Sequence, residues 1–376
     1  MCGIAALGYF FTFLKPTDRE LELAKRARLL LEMSTGAGAP SLDLVIGWML
    51  RVAYLRLTAS PHVTWMASCA AMHMIEAAGL HCEPTPDSVL HRLADDFNPE
   101  LRRRLFGIAQ HLNIWISFDL GRSRVALKGT SSLPPTHTPG DVTTELIDFL
   151  PLSESLDPDN NPDSSELEAV LINVLSGMPN HNASKLTQCN LVLCVYRRLR
   201  ALNHNISGQL LDRLLACCAR GIKSAKEMLE QVCPWHHVAY VPFQVICTLL
   251  AIDTRASLVQ LEAAMDTLGA VVMTYDTESM REAYNTARLL VLLHQKRKEE
   301  DVKLLTGVLK TRNLPQPVPA NGGAPDTQPQ PMDDTANMAW LDDLSLDMHG
   351  LQDFDWNQFL NDDGSWYMHI PNGPVN

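Results

Sequence analysis

Apolar residues recur along most of this chain at helical spacing, with punctuation that helices use. Ser60-Pro61 supplies a helix cap followed by proline at the first helical position. The segment behind it, HVTWMASCAAMHMIEAA, stops at Gly79, a residue suited to a left-handed C-terminal turn. Asn98-Pro99-Glu100 repeats that start. Leu101, Leu105, Ile108, Leu112, Trp115 and Ile116 then keep a helical stripe as far as Gly121. Ser165 with Glu168, and Ser257 with Gln260, have capping-box spacing ahead of apolar runs, and Pro242 is placed to open a helix over PFQVICTLLAI. Period-two alternation in β-branched residues is nearly absent. The pattern predicts an all-α fold, a multi-helical domain.

Two stretches interrupt the stripes. Residues 129–165 hold six prolines among Ser, Thr and Asp, the composition of a long surface connection. Residues 313–335 hold six more with Gly, Gln and Asn, and almost nothing large and apolar follows Leu314. Such a segment cannot bury enough surface to offset the entropy of ordering, so a flexible linker is expected. The organisation predicted is a first helical part over 1–128, the connection 129–165, a second helical part over 166–312, the linker 313–335, and a disordered acidic-aromatic tail over 336–376. No internal repeat of 20–50 residues is evident.

Composition sharpens the contrast between body and tail. The 376 residues are 46% apolar, enough for a sizeable core, and carry a net charge of −12. Ten Asp, with no Glu, Lys or Arg, lie beyond residue 312; the remainder has 31 basic against 33 acidic residues. The body is therefore near neutral, with no overall attraction for nucleic acid or anionic lipid. No membrane partner is expected. The opening MCGIAALGYFFTFL lacks a basic leader and a small-residue cleavage site, and reads as a core helix or the start of a domain segment.

Nine cysteines form no C-x-x-C and lie mostly among Leu, Val and Ala, as free thiols of a reducing compartment do. Cys69, His73, His81 and Cys82 are potential zinc ligands close in sequence, yet no second pair completes a tetrahedral set, and packing roles are preferred. The adjacent His236 and His237 diverge on any regular element, which favours a helix-start or packing role. Phosphate-cradling, dinucleotide and nucleophile-elbow motifs are missing, so nothing here speaks for an enzyme. Arg102-Arg103-Arg104, with Arg122 and Arg124, is the main basic feature of the body. Consecutive arginines fan around a helix, and acidic neighbours favour ion-paired structural roles over phosphate contact.

Three ordered strings carry a family resemblance: YLRLTASPHVTWMASCAAMHMIEAAGLH (54–81), RRRLFGIAQHLNIWISFDLGRSRV (102–125) and PWHHVAYVPFQVICTLLAIDTRASLVQLEAAMDTLG (234–269). Together they resemble the helical regulatory (middle homology) domain of fungal binuclear zinc-cluster transcription factors, over roughly residues 10–310. The matching positions are Gly79, Leu80 and His81; Arg103 in the arginine-rich helix running to Gly121 and Arg122; and Pro234, Trp235, Pro242 and Phe243. The resemblance implies a nuclear regulator of RNA polymerase II transcription. It implies a zinc cluster that contacts DNA, a homo- or heterodimer, and a C-terminal activation segment.

The family's zinc cluster requires six cysteines within about thirty residues, beginning C-x-x-C. The first eighty residues here hold only Cys2 and Cys69, so no cofactor is expected in this chain and direct DNA contact rests on the family alone. An incomplete gene model is the favoured explanation, beside a short form acting through a partner and a decayed paralogue.

In the tail, Trp340, Leu344, Phe354, Trp356, Phe359 and Leu360 are interspersed with aspartates. Carboxylate repulsion keeps such a segment expanded, and its aromatics are expected to dock into apolar grooves of coactivators or of the general transcription machinery. The alternative function is a helical scaffold without its own DNA contact, a corepressor-like partner of an intact family member.

Overall fold

The computed structural model describes residues 1–14, 17–36, 38, 40–83, 98–157, 160–233 and 235–310, and among them there is no strand. The helices are α1 (Cys2–Phe13), α2 (Asp18–Thr35), α3 (Leu42–Thr58), α4 (Pro61–Ala77), α5 (Pro99–Asp119), α6 (Thr143–Ile147), α7 (Ser164–Ser176), α8 (Asn182–Ala201), α9 (Gly208–Glu230), α10 (His236–Ile252), α11 (Arg255–Leu258), α12 (Leu261–Tyr275) and α13 (Glu278–Lys310). The fold is all-α. Residues 1–289 form one compact unit, and the described part of a second is the C-terminal portion of α13 from Leu290. Along that portion Val302, Leu304, Leu305, Val308 and Leu309 are exposed.

Capping explains several helix starts. Asn98 Oδ1 accepts the Glu100 N–H at 2.9 Å with Pro99 at the first helical position, and Gly121 closes the same segment with φ +58°. Gly79 ends the α4 segment with φ +67°, a region open to glycine at no cost. Ser60 precedes Pro61 as expected, but its hydroxyl makes no capping bond; its carbonyl accepts the Thr64 N–H instead.

Three expected starts are displaced. The capping box of α7 is Asp163 with Glu166, two residues before the expected Ser165–Glu168 pair, which puts Leu167, Leu171 and Val174 into the core. Thr254 with Ser257 forms the box of the short α11, and the expected Ser257–Gln260 pair instead straddles the break before α12. Pro242 does not open its helix. It lies inside α10, which begins at His236, because Val238, Ala239 and Val241 are buried and their packing outweighs the backbone hydrogen bond that proline forfeits.

The core of the first helical part gathers Leu7 of α1, Trp48, Val52 and Leu55 of α3, Ala67 and Ala71 of α4, and Leu112 and Ile116 of α5. Beside it Val45, Met72, Ile75, Leu80 and Phe106 form a second cluster. The opening segment is thus a core helix, and Phe10 stacks on Tyr275 with ring centroids 6.2 Å apart. Farther along, α8 is buried on nearly all sides, from Leu186 to Leu199, between α7, α9 and α10. Each fully buried Leu or Phe contributes about 1.5–3 kcal/mol.

The connection at 129–165 contains α6 and a 3-10 turn over Pro151–Leu156, and it buries Leu146, Phe149 and Leu156. This apolar content ties part of the stretch to the body. Residues 255–275 match a membrane-crossing helix by length and mean hydropathy of 1.3, but they are two helices broken at Val259-Gln260 that bury Ala264, Leu268 and Val271.

Candidate functional site

Helix α5 carries the arginine triplet at one end and a buried carboxylate at the other, and both ends are tied to distant segments. At the N-terminal end Arg102 is buried. Its guanidinium donates to the Gly79 carbonyl at 2.8 Å and the Cys82 carbonyl at 2.9 Å, in the turn that follows α4. Leu80 is buried beneath this turn, and the His81 carbonyl accepts the N–H groups of Ser131 and Ser132.

Arg103 forms a forked pair with Glu83 at 2.8 and 3.1 Å, and that hydrogen bonding holds the Glu83 carboxyl below its ordinary pKa. Arg104 pairs with Glu100 at 3.0 Å and with Asp141, and donates to the Thr136 carbonyl at 2.7 Å. At the other end Arg122 lies 4.9 Å over the Trp65 ring and 3.0 Å from His62 Nδ1, while Arg124 pairs with Asp157 at 2.5 Å. These five arginines are held by carboxylates, carbonyls and rings. A phosphate would have to displace those partners.

The chemistry that the sequence did not reveal lies at the C-terminal end of α5. Arg56 of α3 and Asp119 of α5 form a buried ion pair. Around it, the Tyr240 hydroxyl donates to the Arg56 carbonyl at 2.7 Å, and the Tyr240 ring lies 5.3 Å from the Arg56 guanidinium. The Asn190 amide donates to Gln244 at 2.8 Å and to Asp119 at 3.4 Å. One network therefore joins α3, α5, α8 and α10.

Three imidazoles adjoin it. His111 lies 4.3 Å from Trp115 with the rings tilted, and Trp235 lies 6.4 Å from His111 and 4.6 Å from His236, whose ring is 4.1 Å from His237. Burial pushes the pKa of His111 down to about 3, with Arg56 adding to the shift; burial also carries His236 and His237 well below the ordinary imidazole range. All three are neutral at physiological pH. The Trp235 indole donates to His237 Nδ1 at 2.9 Å, which assigns the His237 proton to Nε2.

Among the sequence-predicted positions, Trp235 and Phe243 belong to this region: Trp235 caps α10 beside the imidazoles, and Phe243 and Pro242 are buried within α10. Gly79, Leu80, His81 and Arg103 gather at the opposite end of α5, and Gly121 with Arg122 follows its C-terminus. Pro234, Trp340, Leu344, Phe354, Trp356, Phe359 and Leu360 lie outside the described residues.

Cys69, His73, His81 and Cys82 do not converge. Cys69 receives the Asn113 amide at 3.7 Å, His73 faces Glu76 at 3.5 Å, and Cys82 donates to the Gly129 carbonyl at 3.3 Å. Among the described residues no group of three or more His, Cys, Asp or Glu is arranged to hold a metal.

Comparison with known proteins gives this helical body its context. The chain is 43% identical over 361 residues to Protein RDR1 of Gibberella zeae and 39% identical over 363 residues to Transcription factor kojR of Aspergillus oryzae, in each case across 96% of its length. It is homologous to a fungal transcription factor. Protein RDR1 of Saccharomyces cerevisiae is 32% identical over 313 residues, 81% of this chain. The chain spans 65% of the Gibberella protein, 64% of kojR and 56% of the yeast protein. No protein-family model and no solved structure matches it.

The matches to the Gibberella protein and to kojR each cover 96% of the chain, so the helices that carry the buried network fall within them.

Proposed function

We propose that the chain is the regulatory and activating portion of a nuclear regulator of RNA polymerase II transcription, of the fungal zinc-cluster kind. The observation that carries this reading is the 39% identity to Transcription factor kojR across 96% of the chain. The three ordered strings of the middle homology region agree with it. In this reading the helical body is a middle homology domain that governs the tail, and the tail recruits coactivators through Trp340, Leu344, Phe354, Trp356, Phe359 and Leu360. DNA contact belongs to a zinc cluster that this sequence does not carry. The body's near-neutral charge and its engaged arginines support that division of labour.

A fusion of residues 330–376 to a heterologous DNA-binding domain tests the activating role. It is expected to switch on a reporter, and Trp356→Ala with Phe359→Ala is expected to remove most of the signal. A silent fusion would end the activation reading.

A second reading is favoured by one observation: 47 residues are 45% identical to a fission-yeast protein named Probable transcriptional repressor C1348.12. A corepressor-like scaffold that binds an intact family member fits that name. Repression of the same reporter by the whole tethered chain distinguishes it.

A further inference from the structure

A cleft of about 680 Å³ opens between the 129–165 connection and the C-terminal end of α7, within the range of small-molecule sites. Neither its position nor its lining takes part in the buried network of α5. The ring of Phe149, buried in the body, forms part of its wall, joined by Pro135 and by Met178, which is 82% exposed. Two carboxylates, Glu145 and Asp148, also line it, and no Lys or Arg does; His137 is the basic residue type present.

The two acids are not equivalent. Glu145 accepts the backbone N–H groups of Asn180 and His181, each at 3.2 Å. Burial alone would raise its pKa, but its hydrogen bonds outweigh that and hold it below the ordinary value. Its charge both shapes the cleft wall and persists there. Asp148 is exposed and projects from the end of α6. Thr144, one residue before Glu145 and one helical turn before Asp148, also belongs to the lining, with its Oγ1 shielded from solvent.

The α7 residues in the lining come from the last turn of that helix, where the macrodipole is negative. Arg213, beside the end of α7, is spent on Ser176 Oγ at 3.0 Å and on the Ile172 carbonyl, and Arg104, beside the 136–138 segment, is spent on Glu100, Asp141 and the Thr136 carbonyl. An aromatic and proline wall with two carboxylates and a negative helix end complements a cation and repels an anion.

We propose that this cleft binds a small organic cation, a protonated amine carried on an apolar body, with the ammonium at Asp148 and the apolar part against Phe149 and Met178. The proposal goes beyond the transcriptional reading and does not depend on it, since binding is measured on the purified chain.

Isothermal titration of the full chain with 2-phenylethylamine is compared with the neutral 2-phenylethanol and the anionic 3-phenylpropionate. The amine is expected to bind at least tenfold more tightly than either. Asp148→Asn is expected to weaken the amine about fivefold, and Met178→Lys, a new positive charge at an exposed position, by a similar factor; thermal melts of both variants should match the parent. Equal affinity for amine and carboxylate, an amine affinity unmoved by both substitutions, or no amine binding at 10 mM would each overturn the proposal.

Discussion

Arg56 and Asp119, sixty-three residues apart, meet as a buried ion pair between α3 and α5. A charge withdrawn from water on one helix needs its partner on the other, so the pair fixes how these helices register. Tyr240 and Asn190 extend the dependence to α10 and α8. Asp119→Ala removes one partner and leaves the Arg56 guanidinium in a poorly solvated site. The expected loss is about 3–5 kcal/mol of unfolding free energy, read from the urea midpoint. The paired change Arg56→Met with Asp119→Leu should cost less than Asp119→Ala alone; a larger cost would mean that the pair's charges stabilise the fold outright.

The imidazoles beside this pair give the fold a sign in its pH dependence. His111 titrates near 3 when folded and near 6.5 when unfolded, so below 6.5 the unfolded chain binds the extra proton. Stability attributable to His111 is complete above 6.5 and is lost as pH falls from there to about 3, at roughly 1.4 kcal/mol per pH unit. His236 and His237 shift in the same direction and steepen the slope. Equilibrium urea unfolding between pH 7.5 and 5 measures it. His111→Phe should flatten the dependence, and a slope that the substitution leaves unchanged would place the protons elsewhere.

Capping side chains were partly legible in the sequence, and the buried network was not, for a shared physical reason. Asn98-Pro99 declares the start of α5 because the cap is local. Residues 163–168 offer overlapping boxes, Asp163 with Glu166 and Ser165 with Glu168, and which one closes is settled by which phase buries Leu167 and Leu171. Pro242 misleads in the same way: local chemistry favours a helix start there, while the burial of Val238 and Val241 carries the helix through it. His111 and Asp119 sit among Leu112, Trp115 and Ile116 on a helix whose apolar stripe was plain. That a polar residue shares a buried face was a usable signal. Its partners, Arg56 and Asn190, come from other segments at separations that no periodicity encodes.

Arg102 shows the same dependence on distant backbone. It neutralises no carboxylate as its main contact; it satisfies the Gly79 and Cys82 carbonyls. Arg102→Met keeps much of the side chain's volume and takes a charged donor from each of those acceptors. A cost of about 1–3 kcal/mol is expected in chemical denaturation. Arg104→Met at a partly exposed ion pair should cost less, on the order of 1 kcal/mol. The reverse order would mean that the salt-bridged arginines, and not the carbonyl-capping one, hold this end of α5.

Gly221 of α9 and Cys189 of α8, both buried, meet where the two helices pack closely. A Cβ added at Gly221 would lie 2.7 Å from Cys189 Sγ and 3.0 Å from its Cβ. Neither neighbour is the free end of a flexible chain, since Cys189 is fully buried. Gly221→Ala is therefore expected to push α8 and α9 apart and to destabilise by about 1–3 kcal/mol, against the helix-propensity gain that alanine brings at an ordinary helical glycine. Cys189→Ala removes the sulfur but leaves the Cβ contact. The double variant should accordingly recover part of the loss and not all of it. A double-mutant cycle on melting temperature and urea midpoint reads the coupling directly. Strict additivity of the two changes would show that the helices relax independently at this crossing, and that glycine at position 221 serves some end other than close packing.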